Sequence, residues 1–430
     1  MTSDSSADHS NVRTVLAADQ IDLADPDFWT RPLPEREGAF LTLRNEKPMG
    51  FWAEPDTRPA GIEPGPGFYA VTRYDEIVEV SKSPERFCSG KGATSIADMP
   101  EFMNDFFGSM INMDDPRHAR LRKIVSAGFT PKMLKKVEDD VQRAASMIVD
   151  EVLRDGGGDF VTQVAARLPL KVICDMMGIP ESGYDTVFNA SNRILGSADA
   201  EYMPQEDPMK IVEGLLIAGG DLHSLVADLG KFRRENPTDD LTSALVNATV
   251  DGESLSDAEL GSFFILLVVA GNETTRNAIA HALNLLTENP AERAALVADL
   301  EGVLPGAVEE IVRVSSPVVW MRRTATDATT LGGQDIEAGA KVLLYYWSAN
   351  RDEKYFENPF DFNVRRTPNN HLGFGGPGPH FCLGAHLARR EISVMMRELF
   401  MRVPGITATG EADRLRSSFI NGIKHLPFSI

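Results

Sequence analysis

The spacing of apolar and polar positions along the 430-residue chain predicts a mainly helical protein. From about residue 115 to 310, apolar residues recur at the three-to-four-residue interval of amphipathic helices. The stretch 253–287 is the clearest case, because serine and acidic residues precede a long apolar run that Asn289 and Pro290 terminate. Two further helices are predicted over residues 306–314, ending before Pro317, and 383–403.

Strand-like patterns are restricted to residues 49–72 and 324–346, where glycine and proline punctuate short apolar runs. Residues 352–379 are typical of a loop. The expected architecture is mainly α with small β-sheets, as one domain over residues 21–430 after a mobile tail at residues 1–20.

Composition and charge argue against several classes of protein. Lysine and arginine number 43 against 63 acidic residues, a net charge of −20, which argues against nucleic acid or an anionic membrane as the main partner. Three widely spaced cysteines are not a disulfide framework. The longest purely apolar run, residues 263–270, is far short of the roughly 20 residues that span a membrane. We therefore expect a soluble, cytoplasmic protein with no transmembrane anchor.

The glycine-rich segment 371–386, HLGFGGPGPHFCLGAH, is the most informative stretch, and two interpretations of it are weak. Its glycines fit G-x-G-x-x-G, but a dinucleotide site needs a strand before that motif, and RRTPNN precedes it here. A zinc site would use His371, His380, Cys382 and His386, whose spacing lacks the usual pairs. A lone cysteine is also commonly a small buried hydrophobe.

A third interpretation is a haem site. Glycines let the backbone lie against a flat ligand, and a helix starting after Cys382 stabilises a thiolate there. With Gly378, His380, Cys382 and Gly384 in place, the segment resembles the haem-binding signature of the cytochrome P450 superfamily. The resemblance implies that Cys382 is the axial ligand of the haem iron. The aromatic residue departs from the family pattern, since Phe374 lies eight rather than seven positions before Cys382.

An E-x-x-R pair, Glu310 and Arg313, lies upstream. Such a pair is usually a surface ion pair of a helix. In the family these residues are buried and joined by a later arginine, for which Arg366 is the better match and the adjacent Arg365 the alternative. The resemblance implies a structural triad that supports the haem loop.

The segment 270–275, AGNETT, interrupts the most apolar helix. By itself it suggests a threonine bonded to the carbonyl four residues earlier and a glutamate facing solvent. The resemblance instead implies that Ala270 lies against the haem. It also implies two catalytic residues: Thr274, which holds the O2 co-substrate, and Glu273, which relays protons from solvent.

His118 and Arg122 share one face of a predicted helix at an i,i+4 spacing. Alone, this segment is typical of a basic, solvated surface. The resemblance implies that both bind haem propionates, together with Arg323 and His380.

The resemblance covers residues 25–430 and implies the cytochrome P450 fold, a triangular prism with the haem between distal and proximal helices. The implied protein is a haem-thiolate monooxygenase with heme b (iron protoporphyrin IX), expected to be a monomer. Because the chain has no flavin or iron–sulfur motif, electrons from NAD(P)H would come through a ferredoxin reductase and a ferredoxin. The ferredoxin is expected to dock near Arg120, Lys123, Arg389 and Arg390.

Two alternatives remain: a peroxide-driven peroxygenase and a non-catalytic haem or lipid binder. The acid–threonine pair weighs against both, because neither needs a proton relay. Segments such as SFFILLVVAGNETTRNAI and SPVVWMRRT are similar to mycobacterial family members that hydroxylate methyl-branched lipids, terpenoids and sterol side chains at a terminal carbon. The candidate substrate pocket, for which simple core packing is the alternative, consists of Met99, Met103, Phe107, Leu266, Val269, Val318, Val319, Phe419 and Ile420.

Overall fold

The computed structural model describes residues 16–129, 131–249 and 252–430. The helices in these ranges are α1 (Leu33–Glu46), α2 (Tyr74–Lys82), α3 (Glu101–Gly108), α4 (Arg117–Gly128), α5 (Pro131–Asp155), α6 (Arg167–Met177), α7 (Tyr184–Leu195), α8 (Pro208–Glu235), α9 (Leu241–Asn247), α10 (Asp257–Glu288), α11 (Pro290–Ala298), α12 (Leu300–Ser315), α13 (Tyr346–Ala349) and α14 (Ala385–Arg402). The strands are β1 (Met49–Trp52), β2 (Phe68–Val71), β3 (Phe87–Cys88), β4 (Gly158–Asp159), β5 (Met321–Ala325), β6 (Thr329–Leu331), β7 (Gln334–Ile336), β8 (Lys341–Leu344), β9 (Thr407–Ala408), β10 (Asp413–Arg414), β11 (Ile423–His425) and β12 (Pro427–Ser429).

Helix α10 runs through the main hydrophobic core and organises the helices around it. A capping box begins it: the Ser256 hydroxyl accepts from the Glu259 amide at 3.2 Å, and the Glu259 carboxylate accepts from the Ser256 amide at 3.0 Å. Asn289 caps the other end. Because its 32 residues extend about 48 Å, α10 contacts α3, α6, α7, α8, α12 and α14.

The strands form small sheets at one side of the helices. The largest has the order β1-β2-β8-β5-β3, with β2 and β8 parallel and the other pairs antiparallel. The hairpin of β10 and β11 approaches the segment before β5, where the Val319 amide donates to the Phe419 carbonyl at 2.8 Å. This contact brings two stretches of the candidate pocket together.

Most predicted elements are confirmed, including the irregular path between α13 and α14. Helix α12 is longer than predicted, because Asp299 caps it at the Gly302 amide and Pro305 lies inside it. Of the predicted tail, residues 1–15 lie outside the described ranges, and residues 16–20 include a 3-10 turn at Ala18–Gln20. No helix within the described ranges is both long and apolar enough to cross a membrane.

Candidate functional site

Cys382 lies on the loop that leads into α14 and has accessible surface. Dense surroundings nevertheless desolvate the thiol, and this burial raises its pKa against the opposing effects of the Gly384 amide, Arg122 and Arg389. The Cys382 side chain is thus accessible and yet surrounded by protein, which is typical of a residue that lines a cavity. The loop path depends on glycine, because a Cβ on Gly378 would lie 2.0 Å from the Ser81 carbonyl oxygen.

The E-x-x-R pair is fully buried. Arg313 donates to Glu310 at 2.7 and 2.8 Å, and Arg366 Nε donates to both Glu310 oxygens at 3.1 Å. Arg366, not Arg365, therefore completes the triad; Arg365 bonds to the Ala295 carbonyl instead. The remaining guanidinium protons of Arg313 and Arg366 go to backbone carbonyls between residues 350 and 361, which fixes the chain leading to the Cys382 loop.

Glu309, which the sequence analysis did not single out, supports the same loop from the other side. It accepts from Arg389 at 2.6 and 2.8 Å and pairs with His371 Nε2 at 3.0 Å. Burial alone would raise the pKa of Glu309, but the hydrogen bonds from His371 and Arg389 outweigh it and lower the pKa to about 2. Arg389 also lies 4.2 Å above the ring of Phe374, so one carboxylate ties both ends of the loop to α12. The signal in the sequence that could have identified Glu309 is its position directly before Glu310 of the E-x-x-R pair.

Glu273 and Thr274 of α10 lie in different environments. Thr274 is half-buried and donates to the Ala270 carbonyl at 2.7 Å, the backbone bond expected from the isolated sequence. Glu273 does not face solvent: it is buried, and its Oε1 accepts from Arg276 and from Asn277. Its Oε2 has no hydrogen-bond partner in the described ranges. One carboxylate oxygen of Glu273 is thus held in place, and the other is not.

The four predicted propionate contacts come together on the side of the Cys382 loop that faces α4. The rings of His118 and His380 are 4.3 Å apart, and Arg122 donates to the Phe381 carbonyl at 2.8 Å. Burial and then the charges of Arg323, His118 and Arg122 lower the pKa of His380 to about 3. Arg323 is buried and, within the part of the chain described, has no carboxylate partner.

The candidate pocket residues divide by exposure. Leu266 and Val269 of α10 are partly exposed although most of that helix is buried, as are Met99, Phe107, Val318 and Phe419. Met103, Val319 and Ile420 are at most 4% exposed and are covered by protein. Contact of any of them with substrate stays a prediction.

These residues fit a haem. His118 Nε2 is buried without a partner among the described residues, and the surrounding cationic groups lack the anions that two propionates would supply. Ala270 is the most exposed residue of a partly exposed stretch of α10, and a Cβ on Gly384, two residues after Cys382, would meet no atom within 4 Å, so both residues border open space. Cys382, His118, Arg122, Arg323 and His380 are the residues that would hold the group; Phe374 and Gly384 would shape its cradle.

The structure supports neither the dinucleotide nor the zinc interpretation of the glycine-rich loop. The strand nearest before it, β8, ends forty residues upstream of Gly384, so the strand–loop–helix unit of a dinucleotide site is not formed. Of the zinc candidates, His371 is bonded to Glu309. Among the described residues, the metal-compatible group that forms is Glu201, Asp413 and His425, far along the chain from the loop.

The expected basic docking patch carries less free positive charge than the sequence suggests, and docking there stays a prediction. Arg120 is paired with Glu253 and Glu259, and Arg389 with Glu309, so both charges are neutralised locally. A groove of about 320 Å³ lies beside the start of α14, lined by Glu138, Pro305, Val308, Glu309, His386, Arg389, Arg390 and Ser393.

Comparison with known proteins agrees with this geometry. The family model described as Cytochrome P450 matches residues 70–402. A methyl-branched lipid omega-hydroxylase of Mycobacterium tuberculosis is 48% identical over 410 residues, covering 95% of this chain and 94% of the relative. A steroid C26-monooxygenase of the same organism is 37% identical, covering 94% and 91%.

Among solved structures, the chain is similar to Mycobacterium marinum cytochrome P450 CYP268A2 in complex with pseudoionone. The TM-score is 0.89 at 42% identity, covering 97% of this chain and 100% of that one. The fold, the cysteine loop and these likenesses agree: the chain belongs to the cytochrome P450 family and is a haem-thiolate monooxygenase that acts on an apolar substrate.

Proposed function

We propose that this enzyme hydroxylates the terminal carbon of a methyl-branched apolar chain, such as that of a branched fatty acid, a terpenoid or a sterol side chain. The observation that carries the proposal is the 48% identity to a methyl-branched lipid omega-hydroxylase over 95% of the chain. The half-exposed apolar residues beside Ala270, namely Leu266 and Val269, support it, because an apolar wall favours an apolar substrate.

A haem bound at this site would supply the activation of O2, for which a thiolate ligand is suited. Cys382 provides that thiolate. Thr274 holds the oxygen co-substrate by turning its hydroxyl away from the Ala270 carbonyl. Glu273 moves protons toward it through the unpartnered Oε2, while Arg276 and Asn277 hold the other oxygen.

The substrate proposal is tested by titrating the haem-loaded enzyme with a methyl-branched fatty acid, its straight-chain isomer and a compact polar aromatic, following the shift of the haem absorption band. The branched acid should bind more tightly than the isomer, and its product should carry the hydroxyl on the terminal carbon. Tight, productive binding of the polar aromatic instead would refute the proposal.

We also propose that electrons from NAD(P)H arrive through a ferredoxin reductase and a ferredoxin that docks over the groove beside α14. Arg390 lines this groove, so a charge reversal there should slow association with an acidic ferredoxin. Reduction rates are measured against ferredoxin concentration at two ionic strengths. Arg390→Glu should lower the rate and flatten its salt dependence, whereas Lys231→Glu on α8 should not. Equal behaviour of the two variants would place docking elsewhere.

Replacing NADPH and the redox proteins with hydrogen peroxide separates the monooxygenase from the peroxygenase alternative. The reductase-driven reaction should consume NADPH and O2 and give more product per enzyme. Faster turnover with peroxide alone would contradict the assigned use of electrons.

A further inference from the structure

A second group of ionisable side chains lies at the base of the β10–β11 hairpin, apart from the Cys382 site. It is built from four separate parts of the fold and combines cationic groups with few anions. Its members are Arg36 and Glu37 of α1, His281 of α10, Arg351 after α13 and Arg414 of β10.

Hydrogen bonds hold one half of the group against the end of α12. Arg351 donates from Nε to Glu37 at 3.3 Å and from Nη2 to the Val314 carbonyl at 2.7 Å. Its guanidinium carbon lies 3.9 Å from the centroid of the Trp347 ring. Arg351 is therefore fixed, and its ion-pair partner on α1 holds the neighbouring Arg36 nearby.

The other half reaches the same end of α12. His281 Nε2 bonds to the Asn421 carbonyl at 3.0 Å, and Asn421 Nδ2 donates to the Ser315 carbonyl at 2.6 Å. Arg414 lies across the hairpin from this segment, since it pairs with Ile423. Both halves thus meet at Val314 and Ser315.

Several buried hydrogen-bond donors here have no acceptor in residues 16–129, 131–249 or 252–430. They are Nε and Nη2 of Arg36, Nε1 of Trp347 and the hydroxyl of Ser315. Arg36 is 5% exposed, Trp347 2% and Ser315 1%. In the same ranges the side chain of Arg414 has neither a hydrogen bond nor an ion pair. Buried donors are normally satisfied, so these donors are available to an acceptor from outside the described chain.

The charges of the group do not balance. Burial, followed by the charges of Arg414 and Arg351, lowers the pKa of Arg36 to about 9, so the group remains a cation at pH 7. Burial lowers the pKa of His281 to about 3, which keeps the imidazole neutral. Among the described residues, three arginines of the group face two carboxylates, Glu37 and the Glu288 that acts on Arg414. One positive charge remains in excess.

We propose that this group binds one oxyanion, a phosphate or a carboxylate, between Arg36, Arg414, Trp347 and Ser315. Oxygen acceptors of that class match the planar fork of arginine as well as indole and hydroxyl donors. The anion would join α1 to the hairpin that carries Phe419, so it would also fix one wall of the candidate pocket. This site does not depend on the proposed substrate.

The test measures the melting temperature of the full-length, haem-loaded protein against inorganic phosphate, with sodium chloride at matched ionic strength as reference. Wild type should be stabilised in a saturable manner, because an anion bound only by the native state raises the melting temperature. Arg36→Gln should lose that response. Arg58→Gln, which removes an exposed arginine paired with Asp56, should keep it. Arg36→Lys retains the charge without the fork, and we expect an at least tenfold higher dissociation constant.

A second arm replaces phosphate with acetate and with hexadecanoate, because the carboxylate could belong to an apolar substrate. His281 lies two turns, about 10 Å, along α10 from Thr274. A response to hexadecanoate alone that Arg36→Gln and Arg36→Lys weaken would assign the site to a substrate carboxylate; a response to phosphate would assign it to a free anion. Melting temperatures that follow ionic strength alone, or identical responses in wild type and both Arg36 variants, would overturn the proposal.

Discussion

Glu391 gives the sharpest quantitative prediction for the scaffold beneath the active site. It lies on α14 and is 2% exposed, and its side chain has no hydrogen bond or ion pair within the described ranges; its Oε2 is an unpartnered buried atom. Burial raises the pKa of this carboxyl from 4.5 to about 8. The folded protein therefore keeps Glu391 protonated at neutral pH, whereas the unfolded chain ionises it.

The sign and size of the effect follow from proton linkage. Because the folded state binds the extra proton, the contribution of Glu391 to stability is full below pH 4.5 and is lost as the pH rises toward 8. One pKa unit corresponds to 1.36 kcal/mol, so ionisation in the unfolded chain costs about 3 kcal/mol of stability at pH 7. Glu391→Gln, which does not titrate, should remove this loss.

Equilibrium denaturation of the haem-loaded protein, followed by tryptophan fluorescence at pH 5.5, 6.5, 7.5 and 8.5, measures the difference. The stability of Glu391→Gln relative to wild type should rise by about 3 kcal/mol across this range. Met401→Gln on the same helix is the control: it replaces an exposed side chain that does not titrate, so its effect on stability should not change with pH. A difference between Glu391→Gln and wild type that is constant with pH would refute the reasoning.

The remaining predictions concern the site and its supports. Cys382→Ser should lose the thiolate-type absorption of the reduced carbon monoxide complex while Cys174→Ser keeps it; retention in Cys382→Ser would exclude it as the ligand. Thr274→Ala should bind substrate almost normally but release more hydrogen peroxide per NADPH, and an unchanged product yield would contradict its role. Glu310→Gln should destabilise the protein by about 3 kcal/mol in denaturant titrations, because two buried arginines lose their counter-ion; an effect below 1 kcal/mol would contradict this. The Asp159 hydrogen bond raises the pKa of the half-exposed His425. His425→Gln should therefore lower the melting temperature at pH 6, by an amount that corresponds to about 0.5 kcal/mol of stability after solvent screening, and should leave it unchanged at pH 9. Equal losses of stability at the two pH values would refute this.

Local signals in the sequence predicted much of the fold. The capping box at Ser256 and the terminating Asn289 define α10, and both are short-range features. Helix α12 was predicted too short because Pro305 is an unfavourable helix residue in isolation. Packing against α10, α11 and α14 stabilises that turn, and such contacts are invisible in a local pattern.

The residues of the site also divide into those that local motifs could identify and those that depend on distant contacts. Motif spacing identified Cys382, Glu310 and Arg313, whereas the choice between Arg366 and Arg365 depended on the path of an irregular loop. The sequence could not show that Glu273 is tied to Arg276, since an acid on a helix is equally suited to solvent. Nor could it show that Arg389 is paired, because its partner Glu309 is eighty residues away.

The triad of Glu310, Arg313 and Arg366 has a consequence for how freely this region can vary. Its two arginines donate to the carbonyls of residues 350, 357, 358, 359 and 361. Carbonyl groups are present in every residue type, so the route of this segment is set by its anchors and hardly by its own side chains. Exposed positions such as Glu357 should accept many substitutions during evolution, while a change at either arginine would alter the whole approach to Cys382.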